Sequence, residues 1–312
     1  MAFADFLAFR RALPPPPPLT RVDRQLRGLT FATYATPAVA DATPALCTNG
    51  GIIYDHKLLW PAFSPLADER QLHFWDQRGR GRSQIPPGAR AARVTHDIGD
   101  LAALIPVLAA ESPTGTIDCI GHSWGAGLTI AAAATATTAA REAHRPSPVR
   151  RVVLISAVGP VGTWRAALLD TVQHKLTGDA RQAFVDALAV LDHESSIEAH
   201  ARYSAALYPA WFHDPAFAEL FTPPRATSAT GAAIATHLYR DGYDWQDSIR
   251  GFDRPTLLLH GVDDPLPVAQ SRATAGLLTD TRLHEIAASG HMPFWEQPAT
   301  CFALIRDFLN AP

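Results

Sequence analysis

Five consecutive residues, Gly121-His122-Ser123-Trp124-Gly125, constrain this chain more than any other feature. They stand between an apolar run, 116–120, that reads as a strand, and an Ala-rich run, 128–143, that reads as a helix. A serine on so tight a turn sits in a strained backbone conformation, and the residues two before and two after it must be small for the backbones to pass. Gly121 and Gly125 supply that room. Such a turn lifts the Ser123 hydroxyl above the carboxyl edge of a sheet, where open α/β sheets bind ligands, and sets it at a helix N-terminus whose amides favour negative charge.

The pattern around the turn repeats. Residues 21–27 and 29–36 read as strands about Gly28, and 45–48 and 71–75 as two further short strands. Strands are predicted at 151–156, 256–260 and 282–286, with helices at 268–278 and 299–309. This alternation predicts an α/β fold with a mostly parallel central sheet flanked by helices. Between 156 and 255 the alternation stops, leaving a helix-like stretch with Trp164, Tyr203, Tyr208, Trp211, Phe212, Phe221, Tyr239 and Trp245. These aromatics are expected to form the stretch's own core in preference to a substrate cage. Pro14 to Pro18 exclude helix and central strand, and are expected to act as a spacer or a surface wrap. The expected organisation is an N-terminal extension over 1–19, a core over 20–159 and 251–312, and an inserted helical cap over 160–250.

Composition narrows the function classes. Hydrophobic residues are 47% and charged residues 18%, the balance of a globular protein with a large core, so disorder is not the default expectation. The formal net charge of -3 and the scattered basic residues argue against nucleic acid as a partner. Cys47, Cys119 and Cys301 are far apart and expected to be buried thiols, so nothing demands an oxidising compartment. The first 13 residues carry Arg10 and Arg11 behind their apolar stretch, unlike a secretory signal, and no run suits a bilayer span. The expected location is cytoplasmic, without membrane association.

A serine hydroxyl needs a base to take its proton, and that base needs an orienting group. Of the 13 histidines, His291 lies in the loop between the last predicted strand and helix, within Ser289-Gly290-His291-Met292-Pro293. His122 adjoins Ser123 and is expected to pack or bond locally, while His260 and His284 fall in or at the end of strands and are read as structural. The loop after strand 256–260 offers Asp263 and Asp264. Two backbone donors should face the developing oxyanion: the Trp124 amide, and one from Asn49-Gly50-Gly51-Ile52, with Gly51 the first choice. His284-Glu285 and His291 miss the H-E-x-x-H spacing, and Gly79-x-Gly81 lacks a third glycine, so neither metal nor nucleotide cofactor is expected.

These motifs resemble the α/β-hydrolase superfamily. G-x-x-D followed by proline, here Gly261 to Pro265, is how many members present their acid, which selects Asp264, and the order Ser123, Asp264, His291 is the superfamily's order. Trp75-Asp76-Gln77-Arg78-Gly79-Arg80-Gly81-Arg82-Ser83 is similar to the D-Q-R-G-x-G-x-S segment of the proline iminopeptidase-like branch, where Asp76 and Arg78 would fix the turn beside the site. The resemblance implies the α/β-hydrolase fold. Two departures stand out: the branch's H-G-G-P reads Asn49-Gly50-Gly51-Ile52, and its G-G-S-W-G reads Gly121-His122-Ser123-Trp124-Gly125. Glu194, Glu198 and Glu219 do not match the cap carboxylates with which true iminopeptidases read a free amine.

The expected function is a cofactor-free serine hydrolase acting on a small-molecule ester or amide through an acyl-enzyme, with an ester favoured over a prolyl amide. Alternatives on the same fold are a proline iminopeptidase-type aminopeptidase, a C–C bond hydrolase or lyase, and a non-catalytic small-molecule receptor. Ser123 excludes the aspartate-nucleophile dehalogenases and epoxide hydrolases. Oligomeric state is not encoded in any motif.

Overall fold

A computed structural model describes residues 3–194, 196–220 and 228–311. Eight strands form one sheet: β1 (Thr20–Leu26), β2 (Leu29–Ala35), β3 (Ala45–Thr48), β4 (Leu72–Trp75), β5 (Ile117–His122), β6 (Val149–Ile155), β7 (Thr256–Gly261) and β8 (Thr281–Ile286). Their order is β1-β2-β4-β3-β5-β6-β7-β8. β1 and β2 make a hairpin that joins β4 antiparallel, and every pairing from β4 to β8 is parallel. The mostly parallel sheet expected from the alternation is therefore present, with β3, β5, β6 and β7 at its centre.

The helices are α1 (Phe3–Ala12), α2 (Val94–Glu111), α3 (Trp124–Glu142), α4 (Trp164–Lys175), α5 (Gly178–His193), α6 (Ile197–Trp211), α7 (Phe217–Leu220), α8 (Ala229–Asp241), α9 (Gln246–Ile249), α10 (Ala269–Ala275), α11 (Pro293–Glu296) and α12 (Pro298–Asn310). α4 to α9 lie between β6 and β7 in sequence and make the helical insertion. In the central strands, period-2 alternation sends Val152 and Leu154 into one apolar layer with α2 and α3, and Val153 and Ile155 into another with α12. Each such side chain, fully buried, contributes about 1.5–3 kcal/mol. Cys47, Cys119 and Cys301 are buried free thiols. Phe6 of α1 is buried, 5.0 Å from the ring of Phe217 and 5.6 Å from that of Trp295, so the segment ahead of the prolines packs on the body. Among the described residues no helix is long and apolar enough to cross a membrane.

Three buried histidines give the fold a pH dependence. Burial lowers the pKa of His73 to about 4, with the Arg24 charge adding to it, that of His200 to about 4, and, with the His291 charge, that of His122 to about 3. The unfolded chain binds these protons near pH 6.5, so the stability they contribute is complete above that pH and is lost as pH falls toward 4 and then 3. Each imidazole accounts for up to about 1.4 kcal/mol per pH unit in that window. Urea midpoints at pH 7, 6 and 5 should fall steadily, and less steeply in His200→Gln. A flat or rising series would show that carboxylates offset the histidines.

Candidate active site

The site forms where β3, β5 and α3 converge. Ser123, between β5 and α3, has φ 57° and ψ −122°, a conformation that costs a non-glycine residue roughly 1–3 kcal/mol. Its amide donates to the Ile155 carbonyl at 2.8 Å, and its own carbonyl accepts from the Ala126 amide at 3.0 Å. A Cβ on Gly121 would lie 2.6 Å from the Ala126 Cα, and one on Gly125 would strike the Thr48 and Asn49 carbonyls. The two glycines do what the motif demands: they let the β3 loop, β5 and α3 touch backbone to backbone.

Asp264 follows β7 and is buried, whereas Asp263 beside it is half-buried and bonds His213 at 2.8 Å. Both Asp264 carboxylate oxygens face His291 Nδ1, Oδ1 at 3.1 Å and Oδ2 at 2.9 Å. Burial alone would raise the Asp264 pKa, but the charge and hydrogen bond of His291, then the charge of His260 and the Leu266 amide, hold it below the usual carboxylate value. An ionised carboxylate only accepts, so Nδ1 carries a proton, and it is Nε2 that bears the lone pair whenever the ring is neutral. His260 spends its nitrogens on Ser271 Oγ at 2.9 Å and the Leu266 carbonyl at 2.8 Å, the structural part expected of it. His284, in β8, is exposed.

Contacts from far along the chain fix His291. Trp211, the last residue of α6, stacks on its ring with centroids 4.0 Å apart, and the Trp211 carbonyl accepts from the His291 amide at 2.7 Å. His122 Nε2 donates to the His291 carbonyl at 2.9 Å, so its partner is 169 residues away and not local as expected. Buried Glu296 accepts from the Gly290 amide at 2.6 Å and the Asp214 amide at 3.0 Å. These contacts couple the insertion to the histidine loop.

Gly51 and Trp124 flank the same cleft as Ser123 and His291. The Trp124 amide, first in α3, has no intrahelical acceptor. The loop carrying Gly51 is braced from three sides. Asn49 Nδ2 donates to the Gly50 and Tyr54 carbonyls at 3.0 and 3.2 Å, Gln77 Nε2 to the Asn49 carbonyl at 3.3 Å, and Arg80 Nε to the Ile52 carbonyl at 2.8 Å. Asn49 thus serves the loop by its side-chain amide where the resembling branch has histidine. Asp76 accepts from Tyr34 Oη at 2.9 Å and from the His56 and Arg82 amides at 3.1 and 2.9 Å, while Arg78 pairs with Asp100 at 2.6 and 2.7 Å. Asp76 thus bonds within the turn itself, through Arg82, and Arg78 ties the turn to α2.

The cleft, about 760 Å³ of empty space with its mouth, runs from Ser123 up between the sheet edge and α4, α6 and α8. Its walls correct one expectation. Trp164, Tyr203, Trp211 and Tyr239 line it, so these four aromatics of the insertion face the site as well as their own core. Tyr208, Phe212 and Trp245 are buried away from it, and Phe221 lies outside the described residues. Glu194, Glu198 and Glu219 are exposed, and none borders the cleft.

A sheet of this order, with its working loops at the carboxyl ends of the parallel strands and a serine on the turn after β5, defines the α/β-hydrolase type. The chain belongs to the alpha/beta hydrolase fold family, which it matches over residues 44–298. It is 24% identical over 288 residues to a proline iminopeptidase of Lactobacillus delbrueckii subsp. lactis, covering 86% of this chain and 90% of that protein. A shorter stretch of 68 residues, 22% of this chain and 27% of the relative, is 37% identical to a pimeloyl-[acyl-carrier protein] methyl ester esterase of Aromatoleum aromaticum. Among solved structures, the proline iminopeptidase of Mycobacterium smegmatis superposes with a TM-score of 0.64 at 18% identity, covering 93% of this chain and 97% of that one.

Proposed function

We propose that this protein is a cofactor-free serine hydrolase that cleaves a small-molecule carboxylic ester through an acyl-enzyme. The observation that carries the reading is the His291 ring, held by Asp264 on its Nδ1 side and bordering the cleft that Ser123 enters. Ser123 Oγ attacks the carbonyl as His291 Nε2 takes its proton, and the oxyanion is received by the Gly51 and Trp124 amides. The protonated ring, stabilised by Asp264, returns the proton to the leaving alcohol. Water, activated by the same ring, then hydrolyses the acyl-enzyme and frees Ser123. The helical insertion over 160–250 acts as the cap that shapes the cleft.

An ester is favoured over an N-terminal prolyl amide by the walls of the site. A peptidase that reads a free ammonium group needs an anion beside it, and among the described residues no carboxylate lines the cleft. The likeness to proline iminopeptidases therefore extends to the framework and its motifs, while the charge of this cleft runs the other way.

Intact-mass measurement after treatment with a fluorophosphonate tests the reading. One adduct on the native protein and none on Ser123→Ala is expected. A well-folded native protein that stays unlabelled, yet binds a stable ligand tightly, would make the fold a receptor instead.

A further inference from the structure

We propose that Arg165 anchors a carboxylate on the substrate, so that the preferred esters are those of small acids bearing a second, anionic carboxyl group. This deepens the serine-hydrolase reading and rests on it. Arg165, the second residue of α4, is half-buried and lines the same cleft as Ser123. Its guanidinium lies over the Tyr239 ring, 4.5 Å from the centroid. Its Nε is buried with no hydrogen-bond partner, and among the described residues no carboxylate reaches it within ion-pair distance. Asp192 shares an outer depression with it but makes no ion pair. The buried arginines Arg70, Arg78 and Arg80 each pair with a buried carboxylate, Asp118, Asp100 and Asp97 in turn, and although Arg70 Nε is also unpartnered its charge is met, whereas that of Arg165 is not.

A guanidinium half-withdrawn from water among aromatic walls, with a donor left open, is matched by a planar anion able to accept two parallel bonds. A second open group faces the same cleft. His200 Nε2 is buried and unpartnered, and the ring neighbours Tyr239, the aromatic under Arg165. A neutral imidazole can donate one hydrogen bond to the anion without adding a second charge. One cation, one neutral imidazole donor, the hydroxyl-bearing Tyr203, Ser204 and Tyr239, and apolar walls of Trp164, Leu168 and Leu207 suit a monoanionic carboxylate at the end of a short hydrocarbon spacer.

The test compares p-nitrophenyl half-esters of C4 to C8 dicarboxylic acids with p-nitrophenyl esters of monocarboxylic acids of equal chain length. At one spacer length the native protein should prefer the charged ester in kcat/KM by about tenfold or more, the scale of one charge-assisted contact. In Arg165→Met the ratio of the two should fall to near one, mainly through KM, and Arg165→Lys should restore it in part because it keeps the charge without the planar fork. A native protein that prefers the uncharged esters at every length, or an Arg165→Met ratio equal to the native one, overturns the anchor. Calorimetric titration of Ser123→Ala with the free dicarboxylates reads the anchor without turnover. Saturable binding lost on adding Arg165→Met supports it, and no binding at any length refutes it. Uncharged-ester turnover with fluorophosphonate labelling, but no charge preference, would sink the anchor alone; loss of labelling and of all turnover would sink the serine-hydrolase reading.

Discussion

Turnover of p-nitrophenyl butyrate is expected to fall by about 10⁴–10⁶-fold in Ser123→Ala, and by nearly the same factor in His291→Ala and in the double variant. The near-equality matters more than the size. If Ser123 and His291 act as one device, removing either leaves the other with nothing to do, and the residual rate is what the oxyanion donors and the cleft supply by themselves. Asp264→Asn is expected to be nearly as damaging, because an amide can offer its own N–H to His291 Nδ1 and draw the ring's proton to Nε2, where the serine proton must go. Steady-state rates on the four proteins decide the matter. Effects that add, with the double variant far below either single one, would mean that the two residues contribute separately.

The parts of this site that were legible in the sequence are those whose chemistry is local. Gly121 and Gly125 announce the turn because the steric demand falls on residues two positions away, and Gly28 announces the β1–β2 hairpin through its positive φ of 78°. His291 and the pair Asp263 and Asp264 could be singled out because each lies in a loop directly after a strand, and the carboxyl edge of a parallel sheet gathers those loops. The choice of Asp264 between the two rests on the resemblance of residues 261–265 to the superfamily's acid loop. What supports His291 was not legible. Trp211 and His122 reach it across 80 and 169 residues of chain, by a backbone carbonyl and a ring face that no local pattern encodes. The cleft walls were hidden for a related reason: an aromatic on an amphipathic helix looks the same in sequence whether its apolar face meets another helix or an open cleft. Helix α2 was obscured by Gly99 and Pro106, which a helix tolerates here because its buried face carries Leu101, Leu104, Ile105 and Leu108 into the layer against α3.

The segment after β4 does more than fix a turn, and Arg80 is where stability and site meet. Its side chain is fully buried and pairs with the equally buried Asp97 through bonds of 2.9 and 2.7 Å, while its Nε holds the Ile52 carbonyl at 2.8 Å. Arg80→Met is expected to cost about 3–5 kcal/mol, because the Asp97 carboxylate stays behind in the core without its cation. Arg80→Met with Asp97→Leu should recover most of that loss, since removing both charges also removes the desolvation that each imposes. The Ile52 carbonyl still loses its donor in the double variant, and Ile52 is the residue next to Gly51, so the loop that carries Gly51 is freed on one side. Urea unfolding should then read near-native stability in the double variant. Its kcat on p-nitrophenyl butyrate should nonetheless remain depressed, by less than the roughly 10²–10³ that follows outright loss of an oxyanion donor. Native turnover in a stable double variant would make Arg80 a core ion pair only. Depressed turnover at native stability would identify it as the residue that positions the Gly51 amide from inside the core.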